Sequence, residues 1–159
     1  MTRLFASTAI LALAAACSPA TETPAPATET APAEGVVLSY TDAFVMEPIG
    51  GRDMTMGGVT LSAMGGDVTL TSASSPAFGT IELHTMAMVD DKMTMRKVES
   101  FEIADGGELK LERGGNHMMM FDVSEDVVGG ETVDITLNFD AGGKAQTLVI
   151  EANVRVVGE

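Results

Sequence analysis

From residue 36 onward, apolar and polar positions alternate in short runs broken by Gly and Asp. A period of two marks strands with one buried face. The pattern predicts ten strands: Val36–Met46, Met54–Ala63, Asp67–Ser74, Thr80–Met88, Met93–Val98, Ser100–Ala104, Glu108–Glu112, His117–Val123, Glu131–Phe139 and Gln146–Val157. Nothing after Cys17 carries sustained helical periodicity. Many short strands at this spacing predict an all-β sandwich or barrel in a single domain. Ala141–Lys144 reads as the hairpin turn between the last two strands.

One hairpin can be read residue by residue. Ile81–Met88 and Lys92–Val98 alternate, with Asp90-Asp91 as a two-residue loop between them. If Val89 pairs with Lys92, then Met88 faces Met93, Met86 faces Met95 and His84 faces Lys97. Residues two apart share a face, so His84, Met86, Met88, Met93 and Met95 lie on one side of the hairpin. His84 is diagonal to Met95, roughly 7–8 Å away and within reach of long side chains. Farther along, His117 and Met119 share a face, while Met118 and Met120 point the other way, toward a core.

The region before residue 35 has a different character. Residues 1–17 read as a targeting segment: Arg3, an apolar run Leu4–Ala16 too short to span a bilayer, then Cys17. Small residues before a lone cysteine resemble the bacterial lipoprotein processing site, with Cys17 the lipidated residue. The competing reading is an ordinary secretory signal with Cys17 incidental. Residues 18–34 hold four of the six prolines among repeated Ala, Thr and Glu. That composition cannot form a packed core and reads as an extended linker. Residues 35–159 remain as the folded domain, a common size for one domain.

Composition narrows the function. The net charge of −14 argues against a nucleic-acid partner, which wants a basic face. One cysteine permits no intrachain disulfide. It also leaves a blue-copper centre, which needs a thiolate, without a nearby ligand. Catalysis finds little support: no third histidine completes a zinc-hydrolase triad, and neither histidine has a motif-like nucleophile or acid partner. Asp90, Asp91, Asp122, Glu125 and Asp126 lack ordered calcium-loop spacing.

The remaining chemistry is soft. Both histidines and seven of the twelve methionines lie between His84 and Met120. Thioether and imidazole suit Cu(I), whereas carboxylates suit hard cations. Thioethers are neutral and form no disulfides in an oxidising compartment. His84, Met95, His117 and Met119 are therefore the candidate metal ligands, provided that the His117 strand crosses near the hairpin. Met86, Met88 and Met93 are additional candidates for the ion or for a docking patch. Met54 and Met56 share a face in a strand whose place cannot be read locally, and are further supplementary candidates.

The spacing His84-x10-Met95-x21-His117-x-Met119 resembles the motif of PCu(A)C-type periplasmic copper chaperones. Ser74-Ser75-Pro76, Met93–Arg96, Gly106-Gly107 and Gly114-Gly115-x-His117 match as well. The resemblance spans roughly residues 36–157. Asp91 stands where a Gly is common, Phe44 where a Trp is common, and Met54, Met56 and Met64 where small or apolar residues are usual. The resemblance implies a cupredoxin-like, Ig-like Greek-key sandwich binding one Cu(I) through the four motif residues. It implies delivery to an envelope recipient such as the Cu(A) centre of cytochrome oxidase, directly or through another assembly factor. The expected location is the periplasm, anchored by lipid at Cys17. With no His- or Met-rich tail after the domain, a second, Cu(II)-type site is not expected. Two readings stay open beside delivery: a copper-buffering protein without a dedicated recipient, and a metal-free Ig-like structural domain.

Overall fold

The computed structural model describes residues 35–156 apart from residue 90. The targeting segment, the linker, Asp90 of the hairpin loop and Val157 lie outside the described residues. The strands are β1 (Val37–Met46), β2 (Met54–Met64), β3 (Val68–Ser74), β4 (Phe78–Val89), β5 (Lys92–Val98), β6 (Phe101–Ile103), β7 (Glu108–Leu111), β8 (His117–Val123), β9 (Thr132–Asp140) and β10 (Ala145–Arg155). Every expected strand is present, with ends shifted by at most two residues. Among the described residues the one non-strand element is a 3-10 turn at Ile49–Gly51. It follows Pro48, whose fixed φ and missing N–H suit a break between strands.

Hydrogen bonding runs in the order β5-β4-β8-β2-β1-β10-β9-β3-β6, with β7 also on β2. The two layers of the expected sandwich are therefore not separate sheets. One ladder folds over on itself around a single core. All pairs are antiparallel except β1 with β10. The core draws on both halves of that ladder: Val45, Leu61, Leu83, Met118 and Met120 from one, Leu70, Ile135, Phe139 and Ile150 from the other. With few aromatics, methionine serves as filler there. Met118 and Met120 are fully buried, as their parity required.

Two turns show how local chemistry sets register. Ala141 and Lys144 close a two-residue loop by exchanging backbone hydrogen bonds. Gly142 and Gly143 both take positive φ, the geometry that two-residue hairpins favour. At the other hairpin, Asp91 has φ 59°. That left-handed conformation explains why a glycine suits this position, and a short polar residue tolerates it. The glycine pair Gly57-Gly58 marks where β2 changes partners, from β8 at residues 54–57 to β7 at residues 59–62. A Cβ on Gly58 would stand 2.2 Å from the Leu111 carbonyl oxygen. No larger residue fits where β7 crosses so closely.

Candidate metal centre

The β4–β5 hairpin has the expected register: Val89 opposite Lys92, Met88 opposite Met93, Met86 opposite Met95 and His84 opposite Lys97. The structure adds the long-range fact that local pattern could not give. β8 pairs antiparallel with β4, with His84 opposite His117 and Glu82 opposite Met119. The condition for assembling the four candidates is thereby met. The two imidazole rings lie 5.8 Å apart, centroid to centroid, at 51° to each other. Met95 Sδ sits 3.1 Å from His117 Nε2.

The hydrogen bonds fix which nitrogen each ring presents. His117 Nδ1 is 2.9 Å from the Gly115 carbonyl oxygen. A carbonyl only accepts, so Nδ1 carries the proton, and Nε2 of the neutral ring holds a bare lone pair. It faces the Met95 thioether, another lone-pair donor, with no proton to share. Two acceptors held together in this way are ordered for a cation. His84 Nε2 is 3.0 Å from Glu82 Oε2, so that nitrogen donates. His84 Nδ1 is buried without a partner. An orphaned buried acceptor is rare and calls for an explanation; a soft cation supplies one.

The supporting groups come from the same local geometry. Glu82 lies two residues before His84 and shares its face. It is also ion-paired to Lys97 across the hairpin. Hydrogen bonds, first from Lys97 and then from His84, hold its carboxyl below the ordinary glutamate value. The loop after β7 is closed by Glu112 N–H donating to the Asn116 carbonyl and Gly115 N–H to the Glu112 carbonyl. Thr85 Oγ1 donates to Asn116 Oδ1 at 2.7 Å, tying β4 to the residue before His117. Glu82 escaped the sequence reading, although the alternation that placed His84 placed it too.

Burial is graded. His117 is 5% exposed and His84 is mostly covered, while Met95 is 47% exposed and Met119 partly so. Beside them opens a cavity of about 450 Å³, lined by His117, Met95, Met119 and Met86 together with Met46, Met54 and Met56. Of the additional candidates, Met86 lines this cavity. Met88 and Met93 do not; they face each other nearer the hairpin tip and are well exposed. Met46 was not singled out from sequence, because its place beside β2 is again long-range. Among the described residues no three His, Cys, Asp or Glu side chains converge as a hard-metal or zinc-type site.

Comparison with known proteins agrees with this fold. Residues 38–151 match the LpqE-like family, described as "Putative lipoprotein LpqE-like". A protein of Leifsonia xyli subsp. xyli, named "Putative lipoprotein Lxx21020", is 28% identical over 118 residues, covering 74% of this chain and 69% of that one. The solution structure of apo-DR1885 from Deinococcus radiodurans is 27% identical and covers 94% of this chain and 99% of its own, with a TM-score of 0.58. The Cu(I) form of DR1885 superposes at 0.53 with 25% identity, over 80% of this chain and 82% of that one. The copper-bound PCuAC domain from PmoF2, at 17% identity and a TM-score of 0.61, covers 75% of this chain and 92% of its own and shares the fold. The chain belongs to the LpqE-like family, built on the cupredoxin-like fold of PCuAC domains.

Proposed function

We propose that this protein is a non-enzymatic envelope lipoprotein that carries one Cu(I) on His84, Met95, His117 and Met119 and passes it to an acceptor protein. The observation that carries this reading is the facing pair of acceptors, His117 Nε2 and Met95 Sδ at 3.1 Å, beside an unpartnered His84 nitrogen. Two neutral imidazole nitrogens and two neutral thioethers form a donor set suited to a monovalent soft ion. A Cu(I)-bound form of DR1885, and the copper-bound PmoF2 domain on the same fold, support it. Copper here is cargo.

Graded burial gives the transfer route. The imidazoles are covered and anchored by Gly115 and Glu82, whereas Met95 is open to solvent. An incoming acceptor ligand displaces the accessible thioether first, and the buried imidazoles release last, so the ion never loses all its ligands at once. The Cu(A) centre of cytochrome oxidase is the candidate recipient, directly or through another assembly factor. Cys17 is the proposed lipid attachment point, holding the carrier at the periplasmic face of a membrane.

The test is Cu(I) titration against a Cu(I)-specific chelator, beside His117→Ala, Met119→Ala and Met120→Ala. One tight equivalent is expected, weakened in the first two variants by more than the ~10–100-fold typical of losing an outer partner. Met120 is core, so Met120→Ala should cost about 2–5 kcal/mol of stability while the folded fraction binds normally. Equal Cu(I) binding in all variants would remove the site assignment. Tight binding without transfer to an acceptor would leave a buffering protein instead.

A further inference from the structure

The four-residue cluster does not exhaust the thioethers. β8 pairs with β2 so that Met56 stands opposite Met119. β1 pairs with β2 as far as Val45 opposite Gly57; one more step in that register sets Met46 against Met56. Met54 lies two residues from Met56 and shares its face. A row of methionines thus crosses β1, β2 and β8, with directly opposed neighbours about 5 Å apart at Cβ. Met46, Met54 and Met56 line the same cavity as Met95, His117 and Met119.

These side chains are not core filler. Met54 is 47% exposed, and Met46 and Met56 are partly exposed. Contiguous exposed apolar surface of this kind marks a binding site more often than an accident. Six of the thirteen residues lining the cavity are methionines; beside them stand the His117 imidazole already described and the Thr55 hydroxyl, which donates to the Met46 carbonyl oxygen. Glu47 supplies one carboxylate, and the two arginines at the margin, Arg52 and Arg113, are exposed, where water and salt screen their charge.

We propose that Met46, Met54 and Met56 form a second position for a monovalent soft cation, Cu(I) or Ag(I), adjoining the imidazole-containing one. Its role in copper handling rests on the carrier reading above; its existence as a thioether site does not. Three neutral sulfurs hold such an ion without a charge mismatch, and less tightly than a site with two imidazoles. The position therefore fills second and empties first. Because Met119 faces Met56, an ion moves between the positions by exchanging one thioether for another, with no change of oxidation state. The row then serves as an approach track from the β1–β2 side, opposite the hairpin.

The test is Ag(I) titration of the chain, followed through the methionine methyl signals in 1H–13C correlation spectra, beside a Met54→Leu/Met56→Leu double variant. Leucine keeps volume and polarity close. In the wild type, a first equivalent should shift the methyls of Met95 and Met119, and a second those of Met46, Met54 and Met56. The double variant should lose the second equivalent and keep the first. The wild-type spectra decide alone if the variant fails to fold. The proposal is overturned if the second set of methyls stays silent, if both sets move with a single equivalent, or if the second equivalent survives the double substitution. Loss of the first equivalent alone would sink the carrier site and spare this one.

Discussion

At the scale of single residues, Glu82 has the clearest unexploited consequence. A metal-binding histidine usually donates its second ring N–H to a carboxylate or carbonyl, which fixes its tautomer. Gly115 does this for His117 and Glu82 for His84. Lys97 in turn holds Glu82 from across the hairpin. Glu82→Ala should therefore weaken Cu(I) binding by ~10–100-fold and release His84 to either tautomer, visible in imidazole 15N spectra of the metal-free protein. Unchanged affinity with an unchanged tautomer would show Glu82 to be a bystander. The pH dependence has a fixed sign. The folded carboxyl lies below its ordinary value of 4.5, so its stabilising contribution is present above that range. It is lost as pH falls through the lowered folded value. The stability gap between wild type and Glu82→Gln should thus be constant near neutrality and close in acid, as measured by urea unfolding at several pH values.

At the scale of elements, the site is a clamp across β4, β5 and β8. β5 is the end of the ladder, and none of its seven residues is buried. Lys92, Arg96 and Lys97 on it keep an open edge from pairing with other chains. Without core burial, its attachment is the β4 ladder plus contacts such as Met95 with His117 and Lys97 with Glu82. Such an element opens at low free-energy cost. Cu(I) on Met95 and His117 would tie β5 to β8 directly. Amide hydrogen exchange across Lys92–Val98 should slow on Cu(I) binding far more than across β9 and β10, whose protection comes from the core. Uniform slowing, or none in β5, would mean that Met95 is not a ligand. Legibility follows the same division. The β4–β5 register was readable because a two-residue loop and a period of two leave one solution. The parity of β8 was readable because Met118 and Met120 must fill a core poor in aromatics. That β8 lies against β4, and β2 against β8, was not readable. Pairing across thirty or sixty residues leaves no local pattern, so the His84–His117 contact and the roles of Met46 and Met56 needed the fold.

At the scale of the whole molecule, the proposed carrier role separates holding copper from being held near an acceptor. The proposed ligands all sit within residues 84–119, in the part of the chain that builds the core, while the proposed anchor, Cys17, precedes the expected linker of Pro, Ala, Thr and Glu at residues 18–34. Residues 18–34 include no Met, His or Cys, so anchoring and affinity should be separable. Two acyl signals or more make membrane attachment stable, whereas one chain alone binds only marginally. An anchored carrier whose acceptor shares the membrane gains encounter frequency through effective concentration, with no new contact. Cys17→Ser should therefore move the protein from the membrane to the soluble fraction of bacterial envelopes. Its Cu(I) affinity should stay unchanged, and metallation of a membrane-bound acceptor should slow when copper is scarce. Added copper should erase that deficit, because abundant cargo makes proximity unnecessary. A Cys17→Ser protein that stays with the membrane would remove the lipid anchor from the account. One that leaves it yet metallates at the wild-type rate would show that capture of copper, and not meeting the acceptor, limits delivery.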